Sequence, residues 1–323
     1  MGKLSGGKIL VTGGTGFIGS ALVRSLAAAG ARVRCFDNGS RNASRLDSGP
    51  AGQVERVSGD IRDAEAVRMA MRGCDSVCHL AYVNGTEFFY EKPELILEVA
   101  VKGMMNVLDA CIAEGVKDLT LASSSEVYQN AAQVPTPETV PLIVPDVLNP
   151  RYSYGGGKII SELLALNYGR RHFDRVVILR PHNVYGPDMG REHVIPQFAL
   201  RLQELCARAG GAVEFPIQGS GAETRAFIYI DDFVAGAVRV MADGAHLNIY
   251  NLGTQEEVTI AEVARRVAAC FQRDIRIVPG PAQPGSPSRR CPDTSKARAL
   301  GFDPQTPLSA GIARTVRWYR EQT

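Results

Sequence analysis

A chain of 323 residues with 36 basic and 34 acidic side chains carries a formal charge of only +2, with no polybasic arm and no interleaving of basic and aromatic residues, which argues against a nucleic-acid partner. No apolar run approaches the 18 residues of a membrane span and the N-terminus has no apolar leader region, so a soluble, cytoplasmic protein with no membrane partner is expected. Seven cysteines without a C-x-x-C pair, and histidines without ligand spacing, predict reduced buried thiols and no metal.

The chain opens with an apolar strand at Lys8–Thr12 and a helix at Gly16–Ala29. Strands follow at Arg32–Phe36, Val54–Ser58 and Ser76–Leu80, then a helix over Pro93–Ala113. A strand at Asp118–Ser123, a helix at Ser153–Arg171 and a strand at Val176–Arg180 continue the alternation. Alternating elements of this kind predict an α/β fold, a Rossmann-type doubly wound parallel sheet with helices on both faces.

After residue 181 the segments shorten. A helix is expected near Ile195–Arg208, strands at Val213–Gln218 and Phe227–Ile230, and a helix at Asp231–Met241. Thr259-Ile260-Ala261-Glu262 reads as a capping box opening another helix. A strand near Ile275–Val278, the Pro-rich loop Pro279–Pro287 and a helix at Ser309–Glu321 complete the chain. The expected organisation is a first domain over 1–180 and a smaller C-terminal α/β lobe over 181–323, with some later segments returning to the first domain.

Gly13, Gly16 and Gly19 stand between the first strand and the first helix. The first permits the tight turn, the second lets the backbone approach a pyrophosphate, and the third lets helix and strand pack closely. Asp37 ends the second strand, 18 residues after Gly19, where a carboxylate accepts from ribose hydroxyls and repels a 2′-phosphate. The expected cofactor is therefore NAD. Asp60 ends the third strand and is a candidate for the adenine side.

Tyr154 and Lys158 are four apart on one helix face. A nearby ammonium favours the tyrosinate, so Tyr154 is expected to act as a base below its free pKa near 10, with the Ser124 hydroxyl sharing the proton. Arg289 and Arg290 are candidates for phosphate oxygens, which suit planar guanidinium groups.

The succession T-G-G-T-G-F-I-G, D-N, G-D-I, H-L-A, S-S-S-E-V-Y, Y-x-x-x-K, R-P-H-N-V-Y-G-P and G-S-G-x-x-x-R resembles the extended short-chain dehydrogenase/reductases, within them the nucleotide-sugar epimerase, dehydratase and decarboxylase group. The resemblance runs nearly end to end. It implies that Tyr154 deprotonates a sugar 4-hydroxyl while NAD takes the C4 hydride, that Lys158 holds the nicotinamide ribose, and that Ser124 bonds the same oxygen. It extends the cofactor contacts to Phe17, Ile18, Asn38, Ile61, Leu80, Ala81, Tyr82, Ser123 and His182. It places Asn183 and Arg225 on the diphosphate and Val194 and Ile195 beside the nucleobase, in a substrate-binding C-terminal lobe. Retention of the Tyr-Lys pair argues against a non-catalytic dinucleotide-sensing regulator.

Glu126 divides the subclasses. It resembles the glutamate of sugar 4,6-dehydratases, which takes the C5 proton, and of the UDP-glucuronate decarboxylases; 4-epimerases usually carry a non-acid there. The expected reaction is 4,6-dehydration, with 4-epimerisation and decarboxylation as alternatives. Ser125 replaces the aspartic acid of many dehydratases. Further departures are Ala100 for a common Asn, Tyr82 for a small residue, Ala226 for Asp, and Gln129 for the Gly after V-Y. Gly155, Gly156 and Gly157 are costly inside a helix, about 0.5–1 kcal/mol each, and suggest close approach of cofactor or substrate. The helix over 93–113 is apolar around most of its circumference, and with 153–171 it is expected to build a homodimer.

Overall fold

The computed structural model describes residues 4–41, 52–83, 85–208, 213–282, 285 and 287–322. In chain order the first half holds β1 (Lys8–Thr12), α1 (Phe17–Ala28), β2 (Arg32–Asp37), β3 (Val54–Ser58), α2 (Ala64–Met71), β4 (Ser76–His79), α3 (Thr86–Glu91), α4 (Pro93–Leu97), a π-type turn (Glu98–Gly103), α5 (Met104–Glu114), β5 (Asp118–Ala122), α6 (Ser153–His172) and β6 (Arg175–Pro181). The second half holds β7 (Val184–Tyr185), α7 (Val194–Arg208), β8 (Val213–Ile217), β9 (Thr224–Ala226), β10 (Ile228–Tyr229), α8 (Ile230–Asp243), β11 (Asn248–Leu252), β12 (Glu257–Thr259), α9 (Ile260–Ala269), β13 (Ile275–Pro279), β14 (Arg289–Arg290), α10 (Ser295–Ala299) and α11 (Leu308–Glu321).

Seven described strands form one parallel sheet in the order β11-β6-β5-β4-β1-β2-β3. Strands covered on both faces carry continuous apolar runs, and β6 has five successive buried residues. One apolar cluster joins α1, α7, α8 and α11 to the sheet, and a second joins α2, α5 and α6. The strand order reverses between β1 and β4, and ligands bind beyond the carboxyl ends of strands at such a switch point. Gly13, Asp37, Leu80 and Ser123 all stand at that edge. β11 comes from the second half of the chain and pairs with β6 along its whole length, Asn248 opposite Val177 through Leu252 opposite Pro181.

The helical run after Pro93 is α4, the π-type turn and α5. Its apolar circumference is mostly satisfied inside one chain. Ile96, Val99, Met104, Val107, Leu108 and Cys111 are buried, because α2 packs on α5 and α6 packs on α4 and α5. Leu97 and Ile112 remain 39% exposed. The Pro-rich loop lies partly outside the described residues. All seven cysteines are free thiols, five of them buried. Among the described residues no helix is long and apolar enough to cross a membrane, and no cluster of three His, Cys, Asp or Glu is placed to hold a metal.

Candidate active site

The glycine turn after β1 is set by packing at its two ends. Gly13 has φ of +70°, and a β-carbon there would lie 2.7 Å from the Ala81 nitrogen. A β-carbon on Gly19 would lie 2.0 Å from the Gly13 carbonyl oxygen. Gly16 differs: its β-carbon would meet only Gly13 O, at 3.4 Å, so the protein itself leaves this position open. No described side chain caps α1, so its first-turn amides point outward at the positive end of the helix dipole. Phe17 and Ile18, half-buried, anchor that turn on the core.

Asp37 is pinned at the end of β2, where it accepts from Thr15 N at 3.0 Å and Gly39 N at 2.8 Å. Its neighbour Asn38 reaches Asp60 at 3.4 Å. Asp60 is gripped by Arg62 at 2.9 Å, and that guanidinium is the main cause holding its carboxyl down at about 2. Ile61 is buried under the helix at Gly103. Leu80 N and Ala81 N both donate to Thr12 Oγ1, whose other partner is His79 Nδ1 at 2.7 Å. Burial, with the Lys158 charge behind it, pushes His79 down to about 3 and keeps it a neutral core residue.

Ser124 begins a 3₁₀ turn, Ser125–Tyr128, by accepting from Glu126 N at 3.1 Å. The same hydroxyl lies close enough to favour ionisation of the phenol of Tyr154, which is in the first turn of α6. Burial pushes that phenol up to about 12, with Ser124 opposing and the Glu126 charge adding to the rise. This differs from the lowered value expected from the Tyr-Lys spacing, and the reason is geometric. Lys158 Nζ donates to the Ala122 carbonyl at 2.7 Å and lies 3.7 Å from the centre of the Tyr82 ring. Burial pulls the ammonium down to about 7. Ser123 and Ser125 are buried, and Ser123 N donates to Leu179 O at 2.7 Å.

Two of the three helical glycines, Gly155 and Gly157, have close protein neighbours. A β-carbon on Gly155 would lie 2.5 Å from Gln129 Nε2 and 3.0 Å from Glu126 O. One on Gly157 would lie 2.4 Å from Tyr82 Oη and 2.7 Å from Ala100 Cβ. Two departures from the family pattern, Gln129 and Tyr82, thus fill the space that the two glycines vacate. Gly156 has ordinary room.

Glu126 and the basic residues form the second pole of the site. Its carboxylate pairs with Arg290 Nη1 at 2.7 Å. Burial raises the Glu126 carboxyl, but Arg290, helped by Arg151 and Arg225, outweighs this and holds it below its ordinary value. Arg290 Nε and Nη2 and Arg151 Nε are buried without a hydrogen-bond partner among the described residues. Arg225 runs beside Arg290 on paired strands β9 and β14 and donates to the Pro287 carbonyl at 2.7 Å. Burial first, then Arg290, push it down to about 10. Arg289 faces away and is paired with Glu257 at 2.6 Å. Asn183, at φ of 41°, donates its amide to Ala226 O at 2.8 Å. Val194 is half-buried at the start of α7, while Ile195 belongs to the core.

Sequence reading missed Arg151, although its place three residues before Tyr154 is a usable signal. It also missed the buried polar chain behind the site. Glu162 holds Arg180 at 2.9 and 2.6 Å, Arg180 donates to the Tyr128 hydroxyl at 2.7 Å, and Tyr128 donates to Asn251 Oδ1 at 2.8 Å. Asn251 donates in turn to the Thr136 and Asp293 carbonyls. His182 Nε2 shares Asn251 Oδ1 at 3.1 Å, and burial pushes this ring down to about 3. The chain joins α6, the Glu126 turn and the segment carrying Arg290.

A dinucleotide turn at the switch point, an open Gly16, and a Tyr-Ser-Lys group beside a cationic pole define a class of cofactor-dependent α/β enzymes acting on an anionic substrate. The NAD dependent epimerase/dehydratase family matches residues 9–253. The chain is 33% identical to a dTDP-4-dehydro-6-deoxy-D-allose reductase of Streptomyces sp., over 98% of each chain. It is 30% identical to the UDP-N-acetyl-alpha-D-glucosaminuronate decarboxylase of Bacillus cytotoxicus, over 97% of this chain and 98% of that one. A double mutant of the dTDP-glucose 4,6-dehydratase from Streptomyces venezuelae, with NAD and DAU bound, superposes with a TM-score of 0.84 at 32% identity and 97% coverage of both chains. The chain belongs to the NAD-dependent epimerase/dehydratase family, and its cofactor is NAD.

Proposed function

We propose that this protein is a nucleotide-sugar 4,6-dehydratase. The observation that carries the proposal is the position of Glu126: it pairs with Arg290 and its charge reaches the Tyr154 phenol, so it stands at the reacting pole. Bound NAD would take the C4 hydride and give it back at C6, so the reaction would carry no net change of oxidation state. The open Gly16, the uncapped α1 and the pinned Asp37 support dinucleotide binding there, with Asp37 on the adenosine ribose. Burial favours the protonated phenol, so Tyr154 must first be ionised, which the positive charge of bound NAD would favour; it then accepts the 4-hydroxyl proton while Ser124 steadies the phenol oxygen. A ketone at C4 acidifies C5–H, and the Glu126 carboxylate, held ionised by Arg290, takes that proton. The 6-hydroxyl leaves as water with the proton that Glu126 took from C5, and the resulting C5–C6 double bond would then receive the hydride at C6 and a solvent-derived proton at C5.

Charge balance supports a neutral sugar. Three guanidiniums, Arg151, Arg225 and Arg290, less the Glu126 carboxylate leave two positive charges, which match a diphosphate bridge. A uronate carboxylate would overfill that balance. A second reading, reduction of a nucleotide-linked 4-ketosugar, is supported by the protonated state of Tyr154, which suits proton donation, and by similarity to the reductases.

Mass spectrometry of a nucleotide-sugar panel incubated with the protein and NAD in D₂O tests this. Loss of water with deuterium at C5 supports the dehydratase. Unchanged mass with altered retention means a 4-epimerase, loss of carbon dioxide from a uronate means a decarboxylase, and consumption of reduced cofactor with a 4-ketosugar means a reductase. Exposed Leu97, Ile112, Ile160 and Leu163 on α4 to α6 support a homodimer through those helices, which light scattering at micromolar concentration tests.

A further inference from the structure

Tyr82 touches both members of the Tyr154–Lys158 pair. Its ring lies over the Lys158 ammonium, 3.7 Å from Nζ to the ring centre. Its hydroxyl donates to the Tyr154 carbonyl at 3.1 Å, and its ring meets the Tyr154 ring edge-on with centres 5.0 Å apart. Room for this side chain is built into the helix, since any β-carbon on residue 157 would strike the Tyr82 hydroxyl. Position 82 usually holds a small residue in the pattern this sequence resembles, so the aromatic is a departure from that pattern.

The other groups facing Lys158 give its charge little support. Glu162, one turn along α6, favours the ammonium, but its carboxylate is engaged by Arg180 of β6. His79 of β4 is held neutral by burial, and β5 offers the single carbonyl of Ala122. Tyr154 and Tyr82 are both kept protonated by burial. The face of an aromatic ring is electron-rich and attracts a cation most strongly where water is excluded.

We propose that the Tyr82 side chain is a positioning residue for Lys158, its ring face holding the buried ammonium charged and oriented beside Tyr154. Lysine labelled with ¹³C at the ε position, in protein without substrate or cofactor, gives the direct readout, with the Lys158 signal assigned by Lys158→Arg. The wild-type signal should titrate far below the ordinary lysine value near 10.4. In Tyr82→Leu the midpoint should fall by about one further pH unit. In Tyr82→Phe, which keeps the ring and loses only the bond to the Tyr154 carbonyl, it should move by less than about 0.3 unit. An unmoved midpoint in a folded Tyr82→Leu protein, or an equal fall in Tyr82→Phe, overturns the proposal. If circular dichroism shows that Tyr82→Leu does not fold, Tyr82→Met is measured against the same criterion. The titration needs no turnover, so its outcome stands apart from the identity of the reaction.

Discussion

Replacing Glu162 by Gln tests what holds the site in shape. Arg180 is 1% exposed and Glu162 is 3% exposed, and the two groups meet at 2.9 and 2.6 Å. Glu162→Gln keeps the side-chain shape and one acceptor, but it strips the counter-charge from a guanidinium that has almost no access to water. Breaking a buried pair from one side costs about 3–5 kcal/mol. Arg180 keeps its bonds to the Tyr128 hydroxyl and the Glu138 carbonyl, so the loss is one of charge. Arg180→Met strands the carboxylate instead, and takes the donor from both of those oxygens. The double variant buries neither charge, so its loss should fall at least about 2 kcal/mol short of the sum of the single losses. Urea unfolding, followed by circular dichroism and by the fluorescence of the single tryptophan, Trp318, measures all three. A Glu162→Gln loss under about 1 kcal/mol, or additive single losses, would refute the reasoning.

Three further outcomes are expected. Glu126→Gln removes a charge that raises the Tyr154 phenol, so the acid limb of C4 oxidation should move to lower pH while water loss slows by about 10²–10⁴-fold; an acid limb that rises contradicts the assignment. Gly157→Ala would gain up to about 1 kcal/mol in a free helix, yet the contacts at 2.4 and 2.7 Å should turn this into a net loss of about 1–3 kcal/mol, and a raised melting temperature would count against it. His79 and His182 fall from 6.5 to about 3 on folding, so the unfolded chain binds the extra protons. Stability should be complete above about pH 6.5 and decline as pH drops toward about 3; a flat urea midpoint over that window contradicts the burial argument.

The parallel sheet was legible because β1, β2, β4, β5 and β6 are short apolar runs bounded by turns, and the glycine spacing after β1 marks the first crossover. α2 was overlooked although Asp63 caps it by accepting from Glu65 N and Ala66 N; eight residues give too little periodicity. β11 was overlooked because Asn248 and Asn251 interrupt its apolar pattern, and its pairing with β6 is a tertiary choice. The motif residues Tyr154 and Lys158, with Ser124, could be found from the residues themselves, and Glu126 only from the family resemblance. Their electrostatics could not, because the direction of Lys158 depends on the Ala122 carbonyl and on Tyr82, which arrives from another loop. The unpaired nitrogens of Arg151 and Arg290 are likewise products of folding.

The position of β11 governs how this protein can be recombined with its relatives. A fragment ending at residue 180 would lack β11 and leave β6 as a bare strand edge, a template for sticking to other chains. Exchanging the second half for that of a relative would also exchange the edge strand β11, and with it Asn251, whose amide ties Thr136 to Asp293. Chimeras that keep β11 with its own β6 and join the chain on either side of residues 248–252 preserve that tie, so three junctions, rather than one, separate inherited scaffold from transferable specificity.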